Sequence, residues 1–231
     1  MLGLFAIVAA AATAGWVVSI ANSGPDLRDL KPKDQGAASE VFAADGTRLG
    51  FITSDVLRTP IAGDQIPDVM RNAVVAVEDR RFYEHGGVDY VELRKALGYR
   101  RDSFNITNAK DRKDLARAIA RSDLGDARGA STLTQQLAKN LYLSPSRNPL
   151  RKVKEVITAW RLELWLGKDR ILELYLNTAE LGDEIWGVEA ASRAYFGKSA
   201  SRLTRVEAAT LAGTLPAPTT SNPRERPGRM L

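Results

Sequence analysis

The pattern of apolar and polar positions divides the chain into an uncharged start and a longer, mixed remainder. Residues 2–21 carry no charge, and about 20 helical residues span roughly 30 Å, the thickness of a bilayer core. We therefore predict a transmembrane anchor over residues 1–22, with a cleaved signal peptide as the alternative. Residues 23–40 are polar and contain two prolines, which predicts a tether between the membrane and a folded domain.

The remainder of the chain has the pattern of one folded domain, which we predict over residues 41–222 and follow with a tail at 223–231. Short apolar runs on both sides of an Asp-Gly pair predict a hairpin near its start. From Ile66 onward the apolar spacing is helical, so the predicted fold class is mainly α. Residues 100–128 are rich in charge and weak in periodicity, which predicts an insertion.

Two predicted helices show the spacing most clearly. Leu133, Leu137 and Leu141 recur at every fourth position, so we expect them in the core, with Ser131 as the N-cap of their helix. The next helix has its own apolar stripe, which we expect to pack along its whole length. That stripe consists of Leu150, Val153, Ile157, Trp160 and Leu164.

Composition narrows the chemistry that the domain can perform. The chain has no cysteine and one histidine, His85, which excludes disulfides, a thiolate nucleophile and a site with several histidine ligands. Carboxylates, lysines, arginines, tyrosines and hydroxyls remain, and they favour glycosyl or phosphoryl transfer over acyl transfer. The formal net charge of +5 either has no functional meaning or indicates an anionic partner such as lipid headgroups or phosphates.

A carboxylate in an apolar context is the first candidate for catalysis. Glu78 directly follows the apolar run 73–77. If Glu78 faces a cleft walled by this run, the scarcity of water would suit its carboxylate to act as a general base. A helix end that emerges into solvent is the alternative.

Two polar helix faces are further candidates. Ser131, Gln135 and Lys139 share one face, which is either solvated or one wall of a site. Arg151 and Glu155 lie one helical turn apart and can pair. They form either an exposed ion pair worth under about 1 kcal/mol or a basic cleft wall that holds a second carboxylate.

Taken in order, the motifs between Ile66 and Asn222 closely resemble the peptidoglycan glycosyltransferase family, glycosyltransferase family 51, of the monofunctional biosynthetic type. They are Glu78-Asp79-x-x-Phe82-x-x-His85-x-Gly87, Ser131-Thr132-Leu133-Thr134-Gln135-Gln136 with Lys139-Asn140, Arg151-Lys152-x-x-Glu155, Tyr175-Leu176-Asn177 and Tyr195-Phe196-Gly197-Lys198. The resemblance implies a lysozyme-like helical domain with a small membrane-associated sub-domain. No Ser-x-x-Lys or Lys-Thr-Gly motif occurs, so a transpeptidase domain is not expected in this chain.

The resemblance also implies a mechanism. Glu78 would be the catalytic base that takes the proton from the 4-hydroxyl of an acceptor sugar. That oxygen would attack the anomeric carbon of the donor with inversion, and Glu155 would be a second site glutamate of less certain role. The residues assigned to substrate or pyrophosphate binding are Lys139, Arg147, Arg151, Ser131, Gln135, Gln136, Asp79 and Arg81.

The same resemblance implies the partners and the location. The expected partners are lipid II, the growing lipid-linked glycan chain and the membrane, with other wall-synthesis proteins also allowed. Nucleic acid is not expected, because the basic residues are scattered among acids. No metal is required, although a bound Mg²⁺ or Mn²⁺ could assist the leaving group. The expected location is the bacterial cytoplasmic membrane, crossed once, with the catalytic domain on its outer side.

Two other functions stay open at this point. A lytic transglycosylase that cleaves the wall would share the fold and a catalytic glutamate, but an uncharged glycan would give it no pyrophosphate to bind. A non-catalytic scaffold of the wall-building machinery would keep the fold and lose the signature residues. Glu78, Lys139 and Glu155 are all present, which favours an enzyme.

Overall fold

The structure is a computed structural model that describes residues 39–45, 47–52, 57–96, 108–110, 113, 131–142 and 150–223, together with residues 15 and 19. Most of the anchor predicted over residues 1–22, most of the predicted insertion at 100–128 and almost all of the tail predicted at 223–231 lie outside the described residues. Within the described part of the chain, no helix combines the length and apolar character needed to cross a bilayer.

A short hairpin opens the described domain, as the apolar runs predict. Strand β1 (Ser39–Phe42) pairs antiparallel with β2 (Arg48–Ile52). In the turn, the Thr47 backbone N–H donates to Asp45 Oδ1 at 2.8 Å. Strand β1 begins two residues before the predicted start of the domain, inside the range predicted as tether.

The described residues are mainly helical, which confirms the predicted class. The helices are α1 (Asp68–Glu78), α2 (Tyr90–Ala96), α3 (Leu133–Tyr142), α4 (Leu150–Trp165), α5 (Lys168–Thr178), α6 (Val188–Phe196) and α7 (Arg205–Thr214). Helix α1 packs against α7, and α3 packs against both α4 and α5. The core between them includes the fully buried side chains of Met70, Phe82, Leu133, Leu137, Leu162, Leu172, Leu176 and Leu211.

A small sheet joins the start of the domain to its second half. Strand β5 (Ile185–Trp186) lies between β3 (Leu57–Arg58) and β4 (Glu180–Gly182); it is parallel to β3 and antiparallel to β4. The Asn177 side chain extends this connection, because its Oδ1 accepts the Ile61 backbone N–H and its Nδ2 donates to the Ile61 carbonyl, both at 2.9 Å. One side-chain amide thus pairs both backbone groups of a residue that precedes α1.

The leucine stripe of α3 is confirmed, but the stripe predicted for α4 is wrong in its second half. Trp160 and Leu164 are 41% and 83% exposed. The buried face of α4 instead includes Glu155, Thr158 and Leu162. Two of these three residues are polar, so the spacing of apolar residues alone predicts a buried face of α4 that is rotated away from the observed one.

Candidate functional site

Glu78 is the last residue of α1 and lies beside a cavity. The residues of the apolar run before it differ in burial. Val74 is fully buried, whereas Val77 is half exposed and lines the same cavity as Glu78. The next residue, Asp79, leaves the helical conformation at φ −157°. Helix α1 therefore places Glu78, which is partly buried, at the edge of this cavity.

The cavity has a volume of about 370 Å³ and a mixed, mostly charged wall. Among the described residues, it is lined by Val77, Glu78, Asp79, Arg80, Arg81, Asp89, Glu92, Lys95, Ser131 and Thr132. Four of the predicted site residues, Glu78, Asp79, Arg81 and Ser131, are therefore brought together on one wall. The charged side chains of α2, on the other hand, were not predicted as part of a site.

A chain of hydrogen bonds reaches Glu78 from two other helices. Gln136 Nε2 donates to Glu78 Oε2 at 2.8 Å, and Tyr175 Oη donates to Gln136 Oε1 at 3.0 Å. Tyr175 is 2% exposed, and burial, followed by the nearby negative charge of Glu78, raises the pKa of its hydroxyl. Gln136 therefore contacts the candidate base directly. Tyr175, which the sequence places in the Tyr175-Leu176-Asn177 motif without a predicted role in the site, is linked to it through Gln136.

The residue after Glu78 holds the surrounding backbone. Both carboxylate oxygens of Asp79 lie 3.0 Å from His85 Nε2, and Asp79 Oδ2 also accepts the Leu133 backbone N–H at 3.0 Å. Asp79 and His85 are both nearly inaccessible, with side chains 4% and 5% exposed. His85 thus anchors a buried carboxylate.

Arg81 lies between two carboxylates at the mouth of the cavity. Its guanidinium contacts Glu84 at 2.8 Å and Asp89 at 3.2 Å. Asp89 is 3% exposed, and its Oδ1 also accepts the backbone N–H groups of Val91 and Glu92 at the start of α2. Arg81 is therefore engaged in fixing α2 against the loop that follows Glu78.

Lys152 connects two predicted site residues, and the sequence reasoning missed it. Its Nζ donates to Ser131 Oγ at 2.9 Å and lies 3.0 Å from Glu155 Oε2. Glu155 is 3% exposed, so its partner supplies a positive charge to a buried carboxylate. The sequence contained a signal for this pair, because Lys152 stands three positions before Glu155. The side chain of Arg151, the predicted partner of Glu155, lies outside the described part of the structure.

Gln135 and Ser131 differ from their predicted local roles. Helix α3 begins at Leu133, so Thr132 occupies the N-cap position that was predicted for Ser131. Gln135 Oε1 accepts the Thr132 backbone N–H at 3.0 Å, and the Gln135 N–H donates back to Thr132 Oγ1 at 3.2 Å. This is a capping box. Gln135 is 3% exposed and is not among the described residues that line the cavity.

Two of the three predicted phosphate-binding cations, Lys139 and Arg151, lie on described helices. Lys139 is exposed on α3. Burial, together with Asp183, raises the pKa of Glu180, and the charge of Lys139 opposes that rise, so Lys139 lies within electrostatic range of strand β4. Arg151 lies in the first turn of α4. Arg147 is outside the described residues.

Among the described residues, Asp79, His85 and Asp89 offer one possible metal-ligand atom each within 4.8 Å of one another. The His85 ring nitrogen that faces Asp79 is already held by that carboxylate. Its other nitrogen, Nδ1, has no partner among the described residues, but it points away from the Asp79 side of the ring. Asp89 Oδ2 also has no hydrogen-bond partner among the described residues, but Arg81 already supplies positive charge to Asp89 and Mg²⁺ prefers oxygen ligands to an imidazole nitrogen, so the set is a poor fit for Mg²⁺.

Comparison with known proteins places these residues in a family context. A family model described as transglycosylase matches residues 45–108 and 101–231. Penicillin-binding protein 1A of Escherichia coli (strain K12) is 41% identical over 199 residues, which cover 86% of this chain and 21% of that protein. The biosynthetic peptidoglycan transglycosylase of Marinomonas sp. (strain MWYL1) is 48% identical over 171 residues, which cover 74% of this chain and 66% of that protein.

A third relative gives the same result at greater coverage of this chain. Penicillin-binding protein 1A of Neisseria gonorrhoeae is 38% identical over 206 residues, which cover 89% of this chain and 23% of that protein. The aligned part is thus about a fifth of the penicillin-binding proteins and 66% of the Marinomonas protein. Because the family model spans the described domain from its hairpin to α7, the chain belongs to the transglycosylase family.

Proposed function

We propose that this chain is a peptidoglycan glycosyltransferase that polymerises lipid II into glycan strands. The names of two relatives, a biosynthetic peptidoglycan transglycosylase and penicillin-binding protein 1A, support the reaction class. The observation that carries the proposal is the Glu78 carboxylate, which lies at the edge of the 370 Å³ cavity with one oxygen held by Gln136. Its other oxygen has no hydrogen bond among the described residues, so it can accept a substrate hydroxyl.

The reaction follows from that arrangement. Glu78 takes the proton of the acceptor 4-hydroxyl as the oxygen bonds to the anomeric carbon of the donor. The bond between that carbon and the pyrophosphate oxygen breaks, the configuration inverts, and undecaprenyl pyrophosphate leaves. Gln136 holds the carboxylate in position for this proton transfer. A base fixed within hydrogen-bond reach contributes about 10²–10⁴-fold to such a rate.

Cations stabilise the leaving group in this proposal. Negative charge grows on the pyrophosphate as it departs, and fixed donors aimed at that charge lower the barrier. Lys139, Arg147 and Arg151 are the proposed donors, and Lys152 joins them because it contacts Ser131 on the cavity wall. Glu155 keeps Lys152 in place through its 3.0 Å contact.

The membrane setting is part of the same proposal. Residues 1–22 would anchor the chain in the cytoplasmic membrane, with a lysozyme-like catalytic domain on the outer side, where a lipid-linked donor is within reach. The uncharged stretch 2–21 supports this location. Lipid II, the growing chain and the membrane are the partners that the proposal requires.

Polymerisation of lipid II by the purified full-length chain in detergent or vesicles tests the proposal. Glycan strands that lysozyme digests, formed by the wild type and not by folded Glu78→Gln, are the expected result, and moenomycin, the known inhibitor of the family, should block their formation. Cleavage of purified sacculi without polymerisation would replace the proposal with a lytic function. Inactivity on both substrates would favour a scaffold.

A further inference from the structure

Three side chains from three helices form one hydrogen-bonded chain that ends on Glu78. Tyr175 on α5 donates to the carbonyl oxygen of Gln136 on α3, and the Gln136 amide nitrogen donates to Glu78 on α1. Tyr175 is 2% exposed, and its hydroxyl makes no other hydrogen bond among the described residues. The Gln136 side chain is therefore held at both of its polar atoms.

The Tyr175 hydroxyl is always a hydrogen-bond donor in this series of hydrogen bonds. Burial raises the pKa of Tyr175, and the negative charge of Glu78 raises it further, so the hydroxyl stays protonated throughout the physiological pH range. Its single proton needs an acceptor, and the Gln136 carbonyl oxygen is the acceptor that it contacts. Gln136 must then turn its amino group toward Glu78.

The opposite orientation of the amide shows what Tyr175 contributes. With the amide rotated by half a turn, Gln136 Oε1 would face Glu78, and only a protonated Glu78 could donate to it. The Tyr175 proton would then face an amino group, which cannot accept it. A buried donor without an acceptor is costly. The orientation in which Gln136 would have no donor for ionised Glu78 is therefore disfavoured by Tyr175, whose hydroxyl donates to Gln136 rather than to Glu78.

We infer that Tyr175 is a positioning residue that keeps Glu78 ionised by fixing the amide orientation of Gln136. The inference rests on the proposed function, in which ionised Glu78 is the base. It assigns to a buried tyrosine of α5 a part in setting the pH range of the enzyme. It also explains why a glutamine, which has one donor and one acceptor end, stands between the tyrosine and the carboxylate.

Other charges act on Glu78 and must be held constant in a test. Among the described residues, the charged ones that line the same cavity, from the loop after α1 and from α2, are Asp79, Arg80, Arg81, Asp89, Glu92 and Lys95. Tyr175→Phe removes one oxygen atom and alters none of them. A change in the ionisation of Glu78 in that variant therefore reports on the route through Gln136.

Carboxyl ¹³C NMR of the full-length chain, titrated with pH, measures the ionisation of Glu78 directly, and Glu78→Gln assigns the resonance. In Tyr175→Phe the midpoint of the Glu78 titration should lie about one pH unit higher than in the wild type, as expected for the loss of one buried constraint. The acid limb of the polymerisation rate should move with it, while the plateau rate at higher pH stays close to that of the wild type.

Two further variants separate this route from a structural effect. Tyr195→Phe also removes a tyrosine hydroxyl, which donates to the Leu181 carbonyl at 2.9 Å and does not line the cavity; it should leave the Glu78 titration unchanged. Gln136→Met should raise the titration midpoint by itself, and Tyr175→Phe should add nothing in that background. An unchanged midpoint in Gln136→Met would overturn the inference even if Tyr175→Phe fails to fold.

Unchanged titration of Glu78 in folded Tyr175→Phe or in Gln136→Met would overturn the inference. A full shift from Tyr175→Phe in the Gln136→Met background would also overturn it, because the hydroxyl would then act without the amide. The NMR titration needs no turnover. A wild-type chain that binds but does not polymerise lipid II would therefore count against the proposed function and leave this test intact.

Discussion

Asp79 Oδ2 accepts the backbone N–H of Leu133 at 3.0 Å, which joins the residue after Glu78 to the first turn of α3. Helix α3 also carries Gln136, whose amide holds Glu78. One buried carboxylate therefore fixes the spacing between the proposed base and its hydrogen-bond donor.

Asp79→Ala should weaken both the fold and the site. The change removes the partner of buried His85 and leaves the Leu133 N–H without its acceptor, so we expect a loss of about 2–4 kcal/mol in the free energy of unfolding. Urea denaturation measures it. Asp45→Ala is the control, because Asp45 accepts an exposed backbone N–H from Thr47; equal losses in the two variants would contradict the role given to Asp79.

Lys139→Ala and Lys152→Ala should separate rate from stability. Lys139 is exposed, so its loss should change the free energy of unfolding by no more than about 0.5 kcal/mol and lower the polymerisation rate about 10²-fold. Lys152 faces buried Glu155, so its loss should lower both quantities. Paired melting curves and initial rates measure the two effects, and a large fall in melting temperature for Lys139→Ala with normal turnover would reverse the assignment.

Gly87→Ala should be far more harmful than Gly86→Ala. Gly87 has φ +90°, and an added Cβ would lie 3.1 Å from the Ala159 carbonyl oxygen, so we expect a loss of about 1–3 kcal/mol in stability. Nothing lies within 4 Å of a Cβ added at Gly86, and that substitution should change stability by about 0.5 kcal/mol or less. Similar melting temperatures for the two variants would show that the loop is not held as described.

The ionisation of Glu207 should make the free energy of unfolding depend on pH. Lys198, followed by the capping contacts with Thr204, lowers the pKa of Glu207 from an ordinary value of 4.5 to about 2. A lowered pKa in the folded state stabilises the fold above the ordinary value, and this contribution is lost as the pH falls through about 2. Glu207→Gln should therefore cost about 1 kcal/mol at neutral pH.

Thermal unfolding across pH measures this prediction. The difference in melting temperature between wild type and Glu207→Gln should shrink as the pH falls from 4.5 toward about 2. Lys198→Met removes the largest cause of the lowered pKa and should flatten most of the dependence. A difference between wild type and Glu207→Gln that is the same at every pH would rule out the ion pair as its source.

The sequence predicts the helices well because apolar spacing reports which side of a helix is buried. Leu133 and Leu137 are fully buried as expected. The prediction from apolar spacing is wrong for part of α4, where Glu155 and Thr158 belong to the buried face. A polar side chain whose partner lies inside the protein cannot be told from a surface residue by the sequence alone.

The contacts of the site depend on which helices meet, and local sequence does not contain that information. Lys152 is within one helical turn of Glu155, but spacing along the sequence could not show that its Nζ also reaches Ser131 Oγ, outside α4. Tyr175 reaches Gln136 from 39 positions away. The residue types of the site were therefore predictable, whereas their pairing follows from the packing of α3 against α5.

The hydrogen bonds of the Asn177 amide constrain the order in which the chain can fold during synthesis. The amide pairs with the backbone of Ile61 across 116 positions, so during synthesis Ile61 leaves the ribosome long before its partner exists. The start of the domain cannot settle until α5 has been completed, and a nascent chain halted earlier keeps those backbone groups in water or on a chaperone. This domain must therefore be assembled after translation of its second half, rather than piece by piece from its beginning.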